Sequence, residues 1–92
     1  MKRSRVVINV YGIVQGVFFR YTTRKIARKL GLTGNVKNMP DGSVFIKAEG
    51  PEDKLFEFLE FSKKGPKHAK VESVNYEFVN PTNEYEDFDY DF

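Results

Sequence analysis

The chain has 92 residues, of which 40% are hydrophobic and 30% charged, and its net charge at neutral pH is +2. A chain of this length builds one hydrophobic core, so we expect a single domain over residues 1–92. It contains no cysteine, which excludes disulfides and thiolate metal sites and favours a cytoplasmic protein. The apolar run behind the basic N-terminus is about six residues long and is broken by Asn9. It is therefore too short for a signal peptide or a membrane span.

Charge is distributed unevenly along the chain. Residues 1–50 carry ten Lys and Arg against two acids, and residues 51–92 carry five Lys against eleven acids. A basic face would attract anions, either small ones or nucleic acid. For positions 25, 28 and 29 the alternative is a simply solvated helix face. The basic residues in question are Arg20, Arg24, Lys25, Arg28, Lys29 and Lys37.

The first half of the chain predicts a strand, a helix and a hairpin. Residues 6–11 alternate as a strand does, and residues 21–30 have helical spacing and end at Gly31. Two further strands are predicted at 35–38 and 43–49, joined through Asp41-Gly42, which is typical of a hairpin. The expected inward side chains are Val6, Ile8, Val10, Thr23, Ile26, Ala27, Leu30, Val44, Ile46 and Ala48.

The second half predicts a helix and two strands. The helix follows Gly50-Pro51 and ends at Gly65-Pro66, a strand covers residues 71–79, and residues 88–92 alternate aromatic and acidic as a short fifth strand would. Phe56 and Phe61 fall outside the inner stripe, which we interpret as peripheral packing rather than a contact surface. The expected inward residues are Leu55, Phe58, Leu59, Ser62, Val74, Tyr76 and Phe78.

This order of elements is typical of an α+β fold. It is β-α-β-β-α-β with a short extra C-terminal strand, which predicts a ferredoxin-like α/β sandwich, with an antiparallel sheet and two helices on one face.

The stretch between the first strand and the first helix has the composition of an anion-binding loop. It is Gly12-Ile13-Val14-Gln15-Gly16-Val17-Phe18-Phe19-Arg20. Glycine permits positive φ, so that successive N–H groups can point into one concavity, and a helix N-terminus adds further N–H groups. Arg20 could grip two phosphate oxygens at once. From spacing alone, a tight strand-to-helix turn with Arg20 solvated explains the stretch equally well.

Two motifs in this chain resemble the acylphosphatase family. The stretch from Gly12 to Arg20 is similar to the first family signature, which is glycine, any residue, Val-Gln-Gly-Val, any residue, Phe-Arg. A second signature follows at the family spacing from Gly34 through Asn38 and Gly42 to Gly50. Asn35 departs from it, since the family usually has an aromatic residue there. Strand parity points Asn35 away from the core, so we expect no effect on the reaction.

The resemblance implies an acylphosphatase, a hydrolase that splits small-molecule acyl phosphates into a carboxylate and inorganic phosphate. By position, Arg20 and Asn38 would be catalytic. Arg20 and the backbone N–H groups from Gly16 onward would hold the phosphoryl oxygens, and Asn38 would hold the attacking water. Gln15 is expected to shape the loop by hydrogen bonds, and Phe18 occupies a position that is often glycine in bacterial members. The substrate-binding set is Gln15, Gly16, Val17, Phe18, Phe19 and Arg20.

No cofactor or metal is expected, because no ligand cluster surrounds the loop. No general base is evident either. We interpret His68 as an exposed bystander and Asp41 as a turn residue, and the substrate phosphate could accept the proton of the water. The chain is expected to be a monomer that binds neither membranes nor nucleic acid.

The alternative is a nucleic-acid-binding module of the same fold that uses the basic half. The third predicted strand offers only Phe45 as an outward aromatic, and this reading leaves Gln15-Gly16-Val17 unexplained. A third interpretation, a carbamoyl phosphate domain of a larger maturation protein, would need further domains beyond Phe92.

Overall fold

Residues 2–91 are described by a computed structural model and contain five strands and two helices. The order confirms β-α-β-β-α-β with an added strand. Phe92, the expected end of the fifth strand, lies outside the described residues, as does Met1. No helix within the described range is long and apolar enough to cross a membrane. The elements are β1 Arg3–Ile13, α1 Phe19–Lys29, β2 Thr33–Asn38, β3 Val44–Pro51, α2 Glu52–Lys64, β4 Lys70–Val79 and β5 Phe88–Tyr90.

The strands form one sheet in the order β4-β1-β3-β2-β5. β1 is antiparallel to β3 and β4, and β2 is antiparallel to β3. β5 pairs parallel to β2, so the expectation of a wholly antiparallel sheet is wrong for this strand. The reason is the path of the chain. Residues 80–87 leave β4 at one edge and cross one end of the sheet to the other edge, so β5 must run opposite to β4 and therefore alongside β2.

The core lies between the sheet and the two helices, and the predicted inward residues form most of it. Those in β1, β3 and α2 are buried, as are Thr23 and Ala27 in α1. Ile26 and Leu30 are partly buried against this core. α1 begins at Phe19, two residues before the predicted start, because the Phe19 side chain is 1% exposed and anchors the first turn in the core.

The edge strand β4 departs from the expected burial. Tyr76 pairs with Ile8 and lies on the core side of the sheet, as expected. It is nevertheless 50% exposed, so the expectation that it is buried in the core is wrong. An edge strand lacks a neighbour on one side to cover its side chains. Phe56 covers part of this edge, with its ring centroid 4.9 Å from that of Phe78. Phe61 lies 5.9 Å from Phe19 by the same measure, so both α2 aromatics are peripheral packing as predicted.

The crossing segment 80–87 is held by a buried carboxylate that the sequence pattern does not reveal. Glu49, at 0% exposure, accepts hydrogen bonds from the Thr82 N–H (3.1 Å), the Thr82 Oγ1 (2.7 Å) and the Asn83 N–H (2.8 Å). Arg5 Nε lies 3.6 Å from Glu49 Oε2, and Arg5 Nη2 donates to the Tyr85 hydroxyl (2.9 Å). Glu49 and Arg5 thus fix the path that delivers β5 to the far edge of the sheet.

Candidate active site

The loop after β1 takes the backbone shape expected of an anion-binding nest. Gly16 has φ 74°, and Phe18, the residue before α1, has φ 63° and ψ 22° in the left-handed region. Within residues 2–91, no backbone N–H of residues 16–20 donates a hydrogen bond to another protein group. These donors lie at the N-terminus of α1, where the helix dipole is positive. Left-handed backbone and unpaired donors at a helix N-terminus are the features that favour a small anion.

A cavity of about 370 Å³ opens beside this loop. It brings together Arg20, from the first turn of α1, and Asn38, the last residue of β2, as the sequence predicts. It places a cation, an amide and the unpaired N–H groups around one space. The lining residues are Val14, Gly16, Phe18, Phe19, Arg20, Tyr21, Asn38 and Tyr90.

Arg20 differs from the other arginines of α1 in its charge partners. Arg24 Nη1 lies 3.0 Å from Asp89 Oδ1, and Arg28 Nη2 lies 2.9 Å from Asp87 Oδ2. Arg20 forms no ion pair with any residue in the described part of the chain. The expected basic face is therefore partly neutralised. Arg28, for which a simply solvated helix face was the alternative, donates to the Phe88 carbonyl oxygen and so holds β5. The charge of Arg20 has no acidic partner in the described chain.

Asn38 lines the cavity and carries an unsatisfied hydrogen-bond acceptor. Its Oδ1 is buried and has no hydrogen-bond partner among residues 2–91. A buried amide oxygen without a partner costs free energy, so such an atom is typical of a position that binds a water or a ligand. The amide remains neutral and can both donate and accept, so it suits a group that orients a water molecule.

Gln15 acts on the site from outside the cavity. Its Nε2 donates to the backbone oxygens of Met39 (2.8 Å) and Ser43 (2.9 Å), and so ties the loop to the hairpin that follows Asn38. This confirms the predicted loop-shaping role. Its side chain and that of Val17, which packs against the core, do not line the cavity. The other predicted substrate-binding residues, Gly16, Phe18, Phe19 and Arg20, do line it.

Asp41 and His68 have the positions expected of bystanders. Asp41 Oδ1 accepts from the Ser43 hydroxyl and the Ser43 N–H (3.0 Å), and these two hydrogen bonds lower the pKa of Asp41. This is a turn role, as predicted. His68 is exposed and does not line the cavity. Among residues 2–91 there is no group of three His, Asp or Glu that could hold a metal ion.

Sequence reasoning missed three of the lining residues, Val14, Tyr21 and Tyr90. Tyr90 comes from β5, and its ring centroid is 4.2 Å from Arg24 Cζ and 5.7 Å from Arg20 Cζ. Asp89 accepts from the Tyr90 N–H and from Arg24, and both hydrogen bonds lower the pKa of Asp89. The alternation of residues 88–90 indicates which side Tyr90 faces, but the parallel pairing that brings it to the cavity has no sequence signal.

Acylphosphatases are among the known proteins that resemble this chain in sequence and in structure. The acylphosphatase family profile matches residues 6–90. An acylphosphatase of Thermotoga petrophila is 56% identical over 81 residues, which cover 88% of this chain and 89% of the relative. One of Caldivirga maquilingensis is 51% identical over 85 residues, covering 91% and 86%. The crystal structure of acylphosphatase from Bacillus subtilis superposes with a TM-score of 0.93 at 38% identity, covering 97% of this chain and 99% of that one.

Proposed function

The chain belongs to the acylphosphatase family and is a hydrolase that acts on acyl phosphates; we propose that the reaction takes place in the cavity between the 14–18 loop, α1 and the end of β2. One observation carries this placement. Arg20, which has no ion pair, and Asn38, which has an unsatisfied amide oxygen, line the same space as the loop, whose N–H groups at 16–20 have no protein acceptor in the described chain. They supply what hydrolysis of a mixed carboxylic-phosphoric anhydride needs: phosphoryl binding and a positioned water.

The phosphoryl group binds in the nest formed by residues 16–20. Its oxygens accept hydrogen bonds from the backbone N–H groups, and the Arg20 guanidinium contacts two of them. These donors are fixed by the loop and by the first turn of α1, so they require little reorganisation as the bond to the leaving group loosens and charge shifts onto the phosphoryl and carboxylate oxygens. Arg20 contributes a full positive charge because no carboxylate in the described chain neutralises it.

The attacking water donates a hydrogen bond to Asn38 Oδ1. A neutral amide orients this water without repelling the phosphoryl oxygens, as a carboxylate would. The water oxygen forms a bond to phosphorus on the side opposite the acyl oxygen, and the bond between phosphorus and that oxygen breaks. The products are a carboxylate, which is a good leaving group, and inorganic phosphate.

The proton of the water passes to a phosphoryl oxygen of the substrate. This assignment is supported by the cavity lining, in which none of the described residues is Asp, Glu or His. The polar side chains of the lining are Arg20, Tyr21, Asn38 and Tyr90, and none of them carries a carboxylate or an imidazole. The reaction therefore relies on positioning and electrostatic stabilisation.

The assignment of roles is tested with benzoyl phosphate and two variants. Asn38→Ala should lower kcat by about 10²–10³-fold while the dissociation constant of inorganic phosphate, measured by calorimetry, stays within about twofold. Arg20→Ala, and also Arg20→Lys, should lose both turnover and phosphate binding, because an ammonium cannot grip two oxygens in one plane. Robust turnover in Asn38→Ala or Arg20→Ala would contradict the assignment.

Two matched controls separate chemistry from general damage. Asn35→Ala makes the same change in β2 at a position of opposite parity to Asn38, outside the cavity lining. Lys29→Ala removes one positive charge from the exposed C-terminal end of α1. Both variants should retain full activity and phosphate affinity.

The proposal includes a cytoplasmic monomer. The absence of cysteine suits a reducing compartment. Gel filtration with light scattering tests the monomer. Nucleic-acid binding has little support, because Arg24 and Arg28 are occupied by Asp89 and Asp87.

A further inference from the structure

Phe18 has a conformation and an exposure that folding alone does not explain. Its ring is 75% exposed, and its backbone has φ 63° and ψ 22°, a region that glycine and asparagine occupy more easily than a bulky residue. It precedes α1 but makes no side-chain capping bond. An exposed aromatic ring held in a strained backbone conformation is typical of a residue kept for function.

Tyr21 joins Phe18 in the cavity lining and gives the cavity an aromatic rim. Phe18 immediately precedes α1, and Tyr21 lies in its first turn. Tyr21 is 52% exposed, and both residues line the cavity. At the opposite extreme, Asn38 Oδ1 is buried. The cavity thus has a polar closed end and an aromatic open rim.

The cavity has room for more than a phosphoryl group. Its volume of about 370 Å³ falls within the roughly 300–1,000 Å³ that is usual for sites of small organic ligands. If the water is held at Asn38, in-line attack directs the leaving carboxylate away from this buried end and toward the rim. The acyl group would then contact the rings of Phe18 and Tyr21.

We propose that Phe18 and Tyr21 form an acyl subsite that favours acyl phosphates with an aromatic or flat apolar acyl group over those with a small one such as acetyl. The subsite rests on the proposed function, since the phosphoryl group must occupy the 16–20 nest for the acyl group to reach the rim. Ring-on-ring contact and the removal of apolar surface from water supply the preference.

The test compares kcat/KM for benzoyl phosphate and acetyl phosphate. In Phe18→Asn, which accepts the left-handed backbone but removes the ring, the benzoyl-to-acetyl ratio should fall about three- to tenfold, mostly through KM for benzoyl phosphate. Phe18→Tyr keeps an aromatic ring and should therefore retain the native ratio, whereas Tyr21→Ala should lower it. Phe56→Ala removes another exposed phenylalanine, on α2 and outside the cavity lining, and should leave the ratio unchanged.

A binding experiment provides a readout independent of turnover. Phenylphosphonate should bind the native protein more tightly than methylphosphonate by calorimetry, and Phe18→Asn should reduce this difference. Equal ratios in the native protein and Phe18→Asn, in either assay, would overturn the subsite. Failure of the proposed function would look different, because Arg20→Ala and Asn38→Ala would then keep their turnover, whatever the two ratios are in Phe18→Asn.

Discussion

Replacing Glu49 by Gln should destabilise the protein far more than loss of a surface charge does. Glu49 is fully buried and accepts from the Thr82 N–H, the Thr82 hydroxyl and the Asn83 N–H, while its charge faces Arg5. A glutamine presents an NH₂ group where one carboxylate oxygen was, so donor faces donor at one position. Arg5, whose side chain is 11% exposed, loses its buried partner.

The expected loss in the free energy of unfolding is about 3 kcal/mol. One unsatisfied buried donor costs about 1–3 kcal/mol, and breaking a buried ion pair by removing one partner costs about 3–5 kcal/mol. We take the lower end because Arg5 also donates to the Tyr85 hydroxyl and pairs with the half-exposed Glu84. For a domain of this size, 3 kcal/mol corresponds to a fall in Tm of roughly 12–24 °C.

The effect should depend on pH in one direction. Burial alone raises the pKa of Glu49, but hydrogen bonds from Thr82 and Asn83 and the charge of Arg5 outweigh it, so the pKa lies below its ordinary value of 4.5. A group with a lowered folded-state pKa stabilises the fold above its unfolded-chain pKa, and this contribution disappears as the pH falls through the folded-state value. The difference in unfolding free energy between the native protein and Glu49→Gln should therefore be largest above pH 4.5 and become smaller below it.

Urea unfolding at several pH values measures this difference, and Glu57→Gln is the matched control. Glu57 pairs with Lys54 at 3.5 Å, and its side chain is 60% exposed, so its loss should cost less than about 0.5 kcal/mol. A loss below about 1 kcal/mol for Glu49→Gln at neutral pH, or a difference in unfolding free energy that grows in acid, would show that the buried carboxylate does not hold the crossing segment.

Three further substitutions test the backbone and the loop. Gly34→Ala should cost more than about 3 kcal/mol in unfolding free energy, because Gly34 has φ +142° and an added Cβ would lie 1.9 Å from the Lys47 carbonyl oxygen. Gly42→Ala is the control: Gly42 has φ +91° but open space around it, so the cost should be about 1 kcal/mol. Similar urea midpoints for the two variants would contradict the predicted clash at Gly34. Gln15→Ala should lower kcat/KM for benzoyl phosphate about tenfold and weaken inorganic phosphate binding in parallel, because the loop loses two hydrogen bonds to the hairpin. Unchanged phosphate affinity would show that Gln15 does not position the loop.

Local patterns in the sequence predicted most of the fold and the centre of the candidate site. The alternation in β1 and β3 and the stripe in α2 placed the core residues correctly, because strand and helix periods decide which side chains share a face. The resemblance of Gly12–Arg20 and Gly34–Gly50 to family signatures indicated Arg20 and Asn38, which the fold brings to one cavity. The exposure of Tyr76 was not predictable in the same way, since parity gives the side of a strand but not its place at a sheet edge.

Local sequence patterns therefore specify which elements form, which faces they bury and where the loop and the amide lie along the chain. Three features are visible only in the folded chain: β5 pairs parallel to β2, Tyr90 reaches the cavity, and Asp87 and Asp89 neutralise arginines of α1. These ion pairs neutralise part of the positive charge of residues 1–50 with acids of residues 51–92. The physical reason is that periodicity is a property of neighbouring residues, whereas these contacts depend on the path of residues 80–87, which Glu49 and Arg5 hold from 33 or more positions away.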